Sequence, residues 1–303
     1  MNPVTGIPNR VAAVFLLGVL SLTASSVRAQ TLELEVKSVD DHILLSKPVS
    51  ISLSPSGGAF AVADQHGNRL FVFDTQGHVI WTIGENLTLE RPTAVCLTND
   101  TELLFSLKDK LQILKASSRD LLSIDTVADL SAYQDKLGAI DQLLTTSRGD
   151  HVVLDAAKDQ IVMFDSDWKR MRLLLAHGQG RGRVWSPTGL ALDPSGHVMI
   201  SDSRNFPMQA VSSDGSVLFS AGWSRPGGER SWEASCVGID RQSIIWAADW
   251  RESQWRLFDR TGNEIEKRPF TGGLLHPVGV AFTANDRMIV VEERGTLLLY
   301  SLP

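Results

Sequence analysis

The chain is poor in several things that usually announce a function. Its 303 residues contain two cysteines and two tyrosines: Cys96, Cys236, Tyr133 and Tyr300. No apolar run approaches the ~20 residues needed to span a bilayer. There is no basic excess either. The formal net charge is −6, which argues against nucleic acid, a polyanion that selects a basic face. No spacing supports a Ser/His/Asp nucleophile. The glycine cluster Gly178–Gly182 joins strands rather than opening a helix, so it is no phosphate loop.

The first thirty residues stand apart. Arg10 precedes ten apolar residues, Val11–Leu20, and then come a Ser/Thr-rich stretch and Val27-Arg28-Ala29. This suits a signal peptide of residues 1–29 cleaved after Ala29. The alternative is an uncleaved anchor over residues 11–27. No cysteine follows the apolar run, which excludes a bacterial lipid anchor. In both cases Arg10 stays inside, and the rest is expected in the periplasm or secreted, or held outside the cytoplasm by the anchor.

What is present is repetition. A segment of about 46 residues recurs six times, with starts at 48, 92, 140, 187, 234 and 277. The clearest copies begin Pro48, Pro187, Ala234 and Pro277, run through an apolar stretch and a turn, and end a second apolar stretch on Asp64, Asp202, Asp249 and Glu292. Four short strands per period of this size predict propeller blades. Blade 1 divides into strands a to d at 49–53, 59–64, 69–74 and 79–84, joined by turn-forming SPSGG, QHGN and TQGH. Strand a alternates large and small residues, as in Ile51/Leu53 against Ser50/Ser52, which suits an inner strand squeezed between blades. Cys96 and Cys236 fall at small positions of blades 2 and 5. Those blades face each other across the ring, beyond the ~7 Å Cα limit for a disulfide, so two buried free thiols are expected.

The sixth copy ends without a strand d. The spare segment Thr31–Val39, within a closing region of residues 30–47, is expected to supply it. The sequence thus predicts an all-β, six-bladed β-propeller over residues 48–303, ring-closed by an N-terminal strand. Residues 117–136 of blade 2 and the outer part of blade 3 are expected to be irregular.

The segments Pro187–Asn205 (PTGLALDPSGHVMISDSRN) and Ala63–Val79 (ADQHGNRLFVFDTQGHV) resemble NHL repeats, and the resemblance extends over residues 48–303. Blade 2 departs most, with Leu107 and Lys108 where Asp belongs, and blade 3 lacks the starting Pro. The resemblance implies six blades. Amidating lyases, which are NHL-type propellers, hold an open Zn²⁺ on three histidines. His66, His177 and His276 fall on one face at about one-third intervals and are the corresponding candidates. No tyrosine accompanies them. Gluconolactonase-like propellers require Glu and Asn near the axis at the blade starts, and no such set is evident.

Strands b and d run the same way, so the b–c and d–a loops share one face. That face receives Trp185 and the candidate interface residues Arg181, Arg183, Arg225, Arg230, Trp232, Trp250 and Arg251; Trp255 follows in strand c. Tryptophan and arginine together are typical of interface anchors. The competing assignment buries Trp232 and Trp185 between blades, and Trp246 in the core. The acids ending strand b, Asp64, Asp155, Asp202, Asp249 and Glu292, form a ring that could hold Ca²⁺, or could each bond the neighbouring turn.

The expectation is an exported, non-catalytic interaction module without cofactor, docking on another protein or a membrane complex. The alternatives are a metal-dependent lyase or hydrolase, and a carbohydrate or peptide binder using the Trp-rich loops.

Overall fold

The structure is a computed structural model that describes residues 30–36, 45–84, 89–222 and 232–302. Residues 1–29, where a signal peptide or anchor is expected, lie outside the described residues, as do residues 37–44, Arg225 and Arg230. Strands predominate, and the only described helix is one 3₁₀ turn at Ser131–Tyr133. Six antiparallel sheets make six blades, and their innermost strands touch one another around a closed ring.

Blade 1 comprises Pro48–Leu53, Ala59–Asp64, Arg69–Asp74 and Val79–Ile83. Blade 4 comprises Pro187–Leu192, Val198–Asp202, Met208–Val211 and Val217–Ala221, and blade 5 runs from Ala234–Ile239 through Ile245–Asp249 and Gln254–Phe258 to Glu264–Pro269. These agree with the repeat register. In blade 6 the chain supplies Pro277–Phe282, Arg287–Glu292 and Leu297–Ser301, and Thr31–Val36 completes the sheet antiparallel to the last of them. Thr31 pairs with Ser301 and Val36 with Leu297. An ion pair between Arg287 and Glu33 at 3.0 Å adds a side-chain tie.

Two expectations need correction. Asp120–Asp129 is a regular ten-residue outer strand of blade 2. Met171–His177 is likewise a regular outer strand in blade 3, paired in parallel with the short Arg183–Val184. Charged residues hide the alternation of the first: Ile124 packs toward the blade 1–2 core and Ala128 toward the blade 2–3 core.

No single core exists. Six apolar clusters occupy the six blade junctions, from Phe60 and Phe71 with Ile289 and Leu299 between blades 1 and 6 to Trp246 and Trp255 with Phe282 and Tyr300 between blades 5 and 6. Strand b is buried along its whole length in blades 1, 4 and 5, which explains its continuous apolar sequence. Strand a is the tight one. A β-carbon at Gly279 would stand 2.6 Å from Ile51 Cγ2 of the next blade, so only glycine fits where blades 6 and 1 meet. Cys96 and Cys236 are both free and buried, and burial pushes each thiol up.

Candidate active site at the axial mouth

The acid that ends strand b organises the b–c/d–a face. In blade 1 the buried Asp64 carboxylate accepts the backbone N–H groups of Ser46 and Lys47, at 2.7–3.0 Å, and of Gly67 at 3.3 Å. In blade 3 Asp155 accepts from Gly138, Ala139 and Lys158. In blade 4 Asp202 accepts from Trp185, Arg204 and Asn205. In blade 6 Glu292 accepts from Leu275 and His276. Each acid therefore clamps the loop entering its own blade to the turn leaving strand b. In blade 5 Asp249 instead spends one oxygen on Arg256 Nε at 2.8 Å. The acids serve backbone groups of their own blades, blade 2 having none, and among the described residues no three His, Cys, Asp or Glu side chains gather as a metal site.

In blades 1, 4 and 6 the clamp fixes two positions, the residue just before strand a and the residue just after the acid. The backbone ties them together: Gln65 N donates to Lys47 O at 2.9 Å, and Glu293 N to His276 O at 3.1 Å. Side chains at these positions turn toward the axis. They line a cavity of about 790 Å³ at the mouth, with Lys47, Glu233 and His276 from the first position and Ser203, Trp250 and Glu293 from the second. Arg204, Thr188 and Ser235 complete the polar lining. The volume falls in the ~300–1,000 Å³ range of small-molecule sites.

Within this basin His276 packs on Trp250, with ring centroids 5.1 Å apart. Its Nδ1 lies 3.3 Å from Glu293 Oε2, close enough for an ion pair but off the direction of a hydrogen bond. Glu233 is held by Arg251 at 2.9 Å, and the Arg251 guanidinium also lies 5.9 Å from the Trp250 ring. Beneath Arg204, burial pushes the Asp202 carboxyl up to about 6, assisted by the neighbouring Asp159 charge and against three backbone donors. On the opposite face His151 is stacked on Trp168 at 3.9 Å, and burial lowers its imidazole to about 4.

The residues singled out in the sequence scatter. Trp250 reaches the basin, and Arg251 acts on it through Glu233. Trp232 is 3% exposed, stacked on Phe258 and covered by Arg256, and Trp255 is 0% exposed in the blade 5–6 core. Neither can anchor a surface partner: the loop entering blade 5 folds Trp232 into the blade 4–5 core, and strand periodicity turns Trp255 inward. Arg181 is exposed but reaches away from the axis to Val217 and Leu218 carbonyls on the outer strand of blade 4. Arg183 is exposed. The histidine trio does not converge. His66 is exposed outside the basin, His177 pairs with Asp159 at 3.0 Å, and only His276 lines the mouth. These residues do not fit a three-histidine zinc site.

Lys47, Ser203, Arg204, Glu233 and Glu293 were not foreseen. Their signal was present as the residue preceding each repeat start and those following each strand-b acid. Those columns vary from blade to blade, whereas their neighbours repeat. Two glutamates reach the axial mouth but no asparagine lines it, so the lining does not hold the Glu and Asn set of a gluconolactonase-like propeller.

No protein-family model matches the chain, and no curated protein matches it in sequence. Solved structures do. Virginiamycin B lyase from Staphylococcus aureus superposes with a TM-score of 0.62 at 10% identity, over 91% of this chain and 100% of that one. The calcium-binding protein regucalcin from Agrobacterium tumefaciens gives 0.63 at 14%, over 90% and 94%. A gluconolactonase from Xanthomonas campestris gives 0.59 at 14%, over 86% and 89%. The shared property is the six-bladed propeller.

Proposed function

We propose that this chain is a small-molecule enzyme, a lyase or hydrolase working by acid–base catalysis in the axial basin, rather than a passive scaffold. The observation that carries this is the His276–Glu293 pair, set against Trp250 in a cavity of substrate size. An imidazole ring can both take and return a proton. His276 would accept a proton from a carbon next to a carbonyl, leading to elimination, or from a water attacking an ester. Glu293 would hold the resulting imidazolium, and Lys47 and Arg204 would face the oxyanion that develops. No step is routed through a metal.

The neighbours favour this reading by analogy of fold. Two are named for lyase and lactonase activities, and one solved form is a catalytically inactive histidine-to-alanine variant of the lyase with quinupristin. The leader sequence would place the enzyme outside the cytoplasm. One observation keeps the docking reading alive: Trp250 and Arg251 lie side by side at the rim.

Incubation of purified protein with quinupristin, glucono-1,5-lactone and a panel of esters and cyclic peptides, followed by mass spectrometry, tests the proposal. Turnover that falls about 10²–10⁴-fold in His276→Ala supports it. Turnover unchanged by that substitution, or absent across the panel, removes it.

A further inference from the structure

Of the two carboxylates at the basin, Glu233 is held by Arg251 at 2.9 Å, and Glu293 lies 3.3 Å from His276, a pair that is neutral overall only when the imidazole is protonated. Two further cations line the mouth, and neither the Lys47 ammonium nor the Arg204 guanidinium has an ion-pair partner among the described residues. With Arg251 counted, three fixed cations face the two carboxylates, so the balance at the mouth is positive in a chain whose formal net charge is −6.

Placement adds direction to this charge. Arg204 belongs to blade 4 and Lys47 enters blade 1, so they stand on opposite sides of the ring. Between them, on blades 5 and 6, lies the wall made by Trp250 and His276, whose rings touch at 5.1 Å. A flat apolar group gains most from such a wall, because aromatic faces bury area and stack with little loss of rotamer freedom. An anionic group on the same molecule would reach a cation at either end.

We infer that the ligand of this basin is a small organic anion carrying a flat apolar ring, with Trp250 holding the ring and Arg204 and Lys47 selecting the charge. This deepens the catalytic reading of the same site by naming its substrate class. Arginine suits a planar carboxylate, which it can grip with two parallel N–H donors, whereas lysine contributes a point charge.

Isothermal titration calorimetry on the purified protein, with 2-naphthoate, its neutral isostere 2-naphthamide and cyclohexanecarboxylate, tests the inference without requiring turnover. The acid should bind at least tenfold more tightly than the amide, and raised salt should narrow the gap. Arg204→Gln combined with Lys47→Gln should erase the difference while leaving the amide unchanged; both side chains lie at the mouth, outside the blade cores. Trp250→Leu should remove the preference for naphthoate over cyclohexanecarboxylate. Equal binding of acid and amide, or no binding of naphthoate at millimolar concentration, overturns the inference. Naphthoate discrimination without turnover of any lactone, ester or cyclic peptide leaves it standing and ends the acid–base reading. Turnover of neutral substrates without naphthoate binding does the reverse.

Discussion

The two ends of the propeller axis are built from the same repeat and could hardly differ more. At the a–b end, strand a of every blade contributes one large apolar residue at the same register: Leu53, Leu97, Leu144, Leu192, Ile239 and Phe282. They line a funnel of about 570 Å³, whose polar lining is the hydroxyl side chains of Ser52, Thr98, Thr145, Thr146 and Ser147. The mouth at the other end draws on only four of the six blades and mixes two carboxylates, two unpaired cations, a histidine and a tryptophan. A narrow waist lined by Ile51, Gln142, Leu190 and Cys236 lies between. Gln142 bridges neighbouring blades there, accepting from Leu190 N at 2.8 Å. Positions that obey the repeat build the symmetrical end, and positions that break it build the chemical end.

This division can be attacked from the apolar side first, where the expected effect is largest. Phe282→Ala removes a side chain that is 8% exposed and packed on Trp246 at 5.5 Å, so it should cost about 3–5 kcal/mol of folding stability by urea denaturation. Turnover and naphthoate binding in the folded protein should stay unchanged. A loss of either would mean that the waist couples the ends.

A second effect is set by pH. The folded-state pKa of Asp202, about 6, lies above its ordinary value of 3.8, so the folded protein retains a proton that the unfolded chain releases. The resulting stabilisation is full below about pH 4 and gone above about pH 6. It should amount to on the order of 1–3 kcal/mol and be absent in Asp202→Asn. Denaturation midpoints at pH 4.5 and 7 compare the two proteins. An identical pH dependence would show that the clamp carboxyl under Arg204 is not held protonated.

The smallest effect sharpens the chemical end. Arg251→Gln removes the 2.9 Å ion pair to the Glu233 carboxylate and with it one cation near the basin. Naphthoate affinity should fall a few-fold, the scale of a partly exposed ion pair, with thermal stability nearly unchanged. An increase in affinity would reverse the assignment of Glu233 as neutralised.

The fold was readable because a propeller repeats its constraints. The period set the blades, the missing last strand pointed to Thr31–Val39, of which Thr31–Val36 forms the closing strand, and strand-b acids served the loops as backbone clamps. The site was not readable in the same way. Tryptophan and arginine attract notice as residue types, but Trp232 is folded into the blade 4–5 core by the loop entering blade 5, and Trp255 is turned inward by strand periodicity. Lys47, Arg204 and Glu293 are unremarkable alone and gain meaning only when three blades bring them to one opening. His276 was recognised with the wrong companions. Angular spacing around the ring suggested His66 and His177, whereas its partners, Trp250 and Glu293, come from the adjacent turns.

The pairing of Thr31 with Ser301 has a consequence in time. At synthesis rates of about 5–20 residues per second, the roughly 270 residues between them emerge over about 14–54 s. Throughout that interval the leading strand has no partner, because the edge it must join has not been made. The stretch that leaves the ribosome early is thus the last to be used, and the ring stays open until Leu297–Ser301 has emerged.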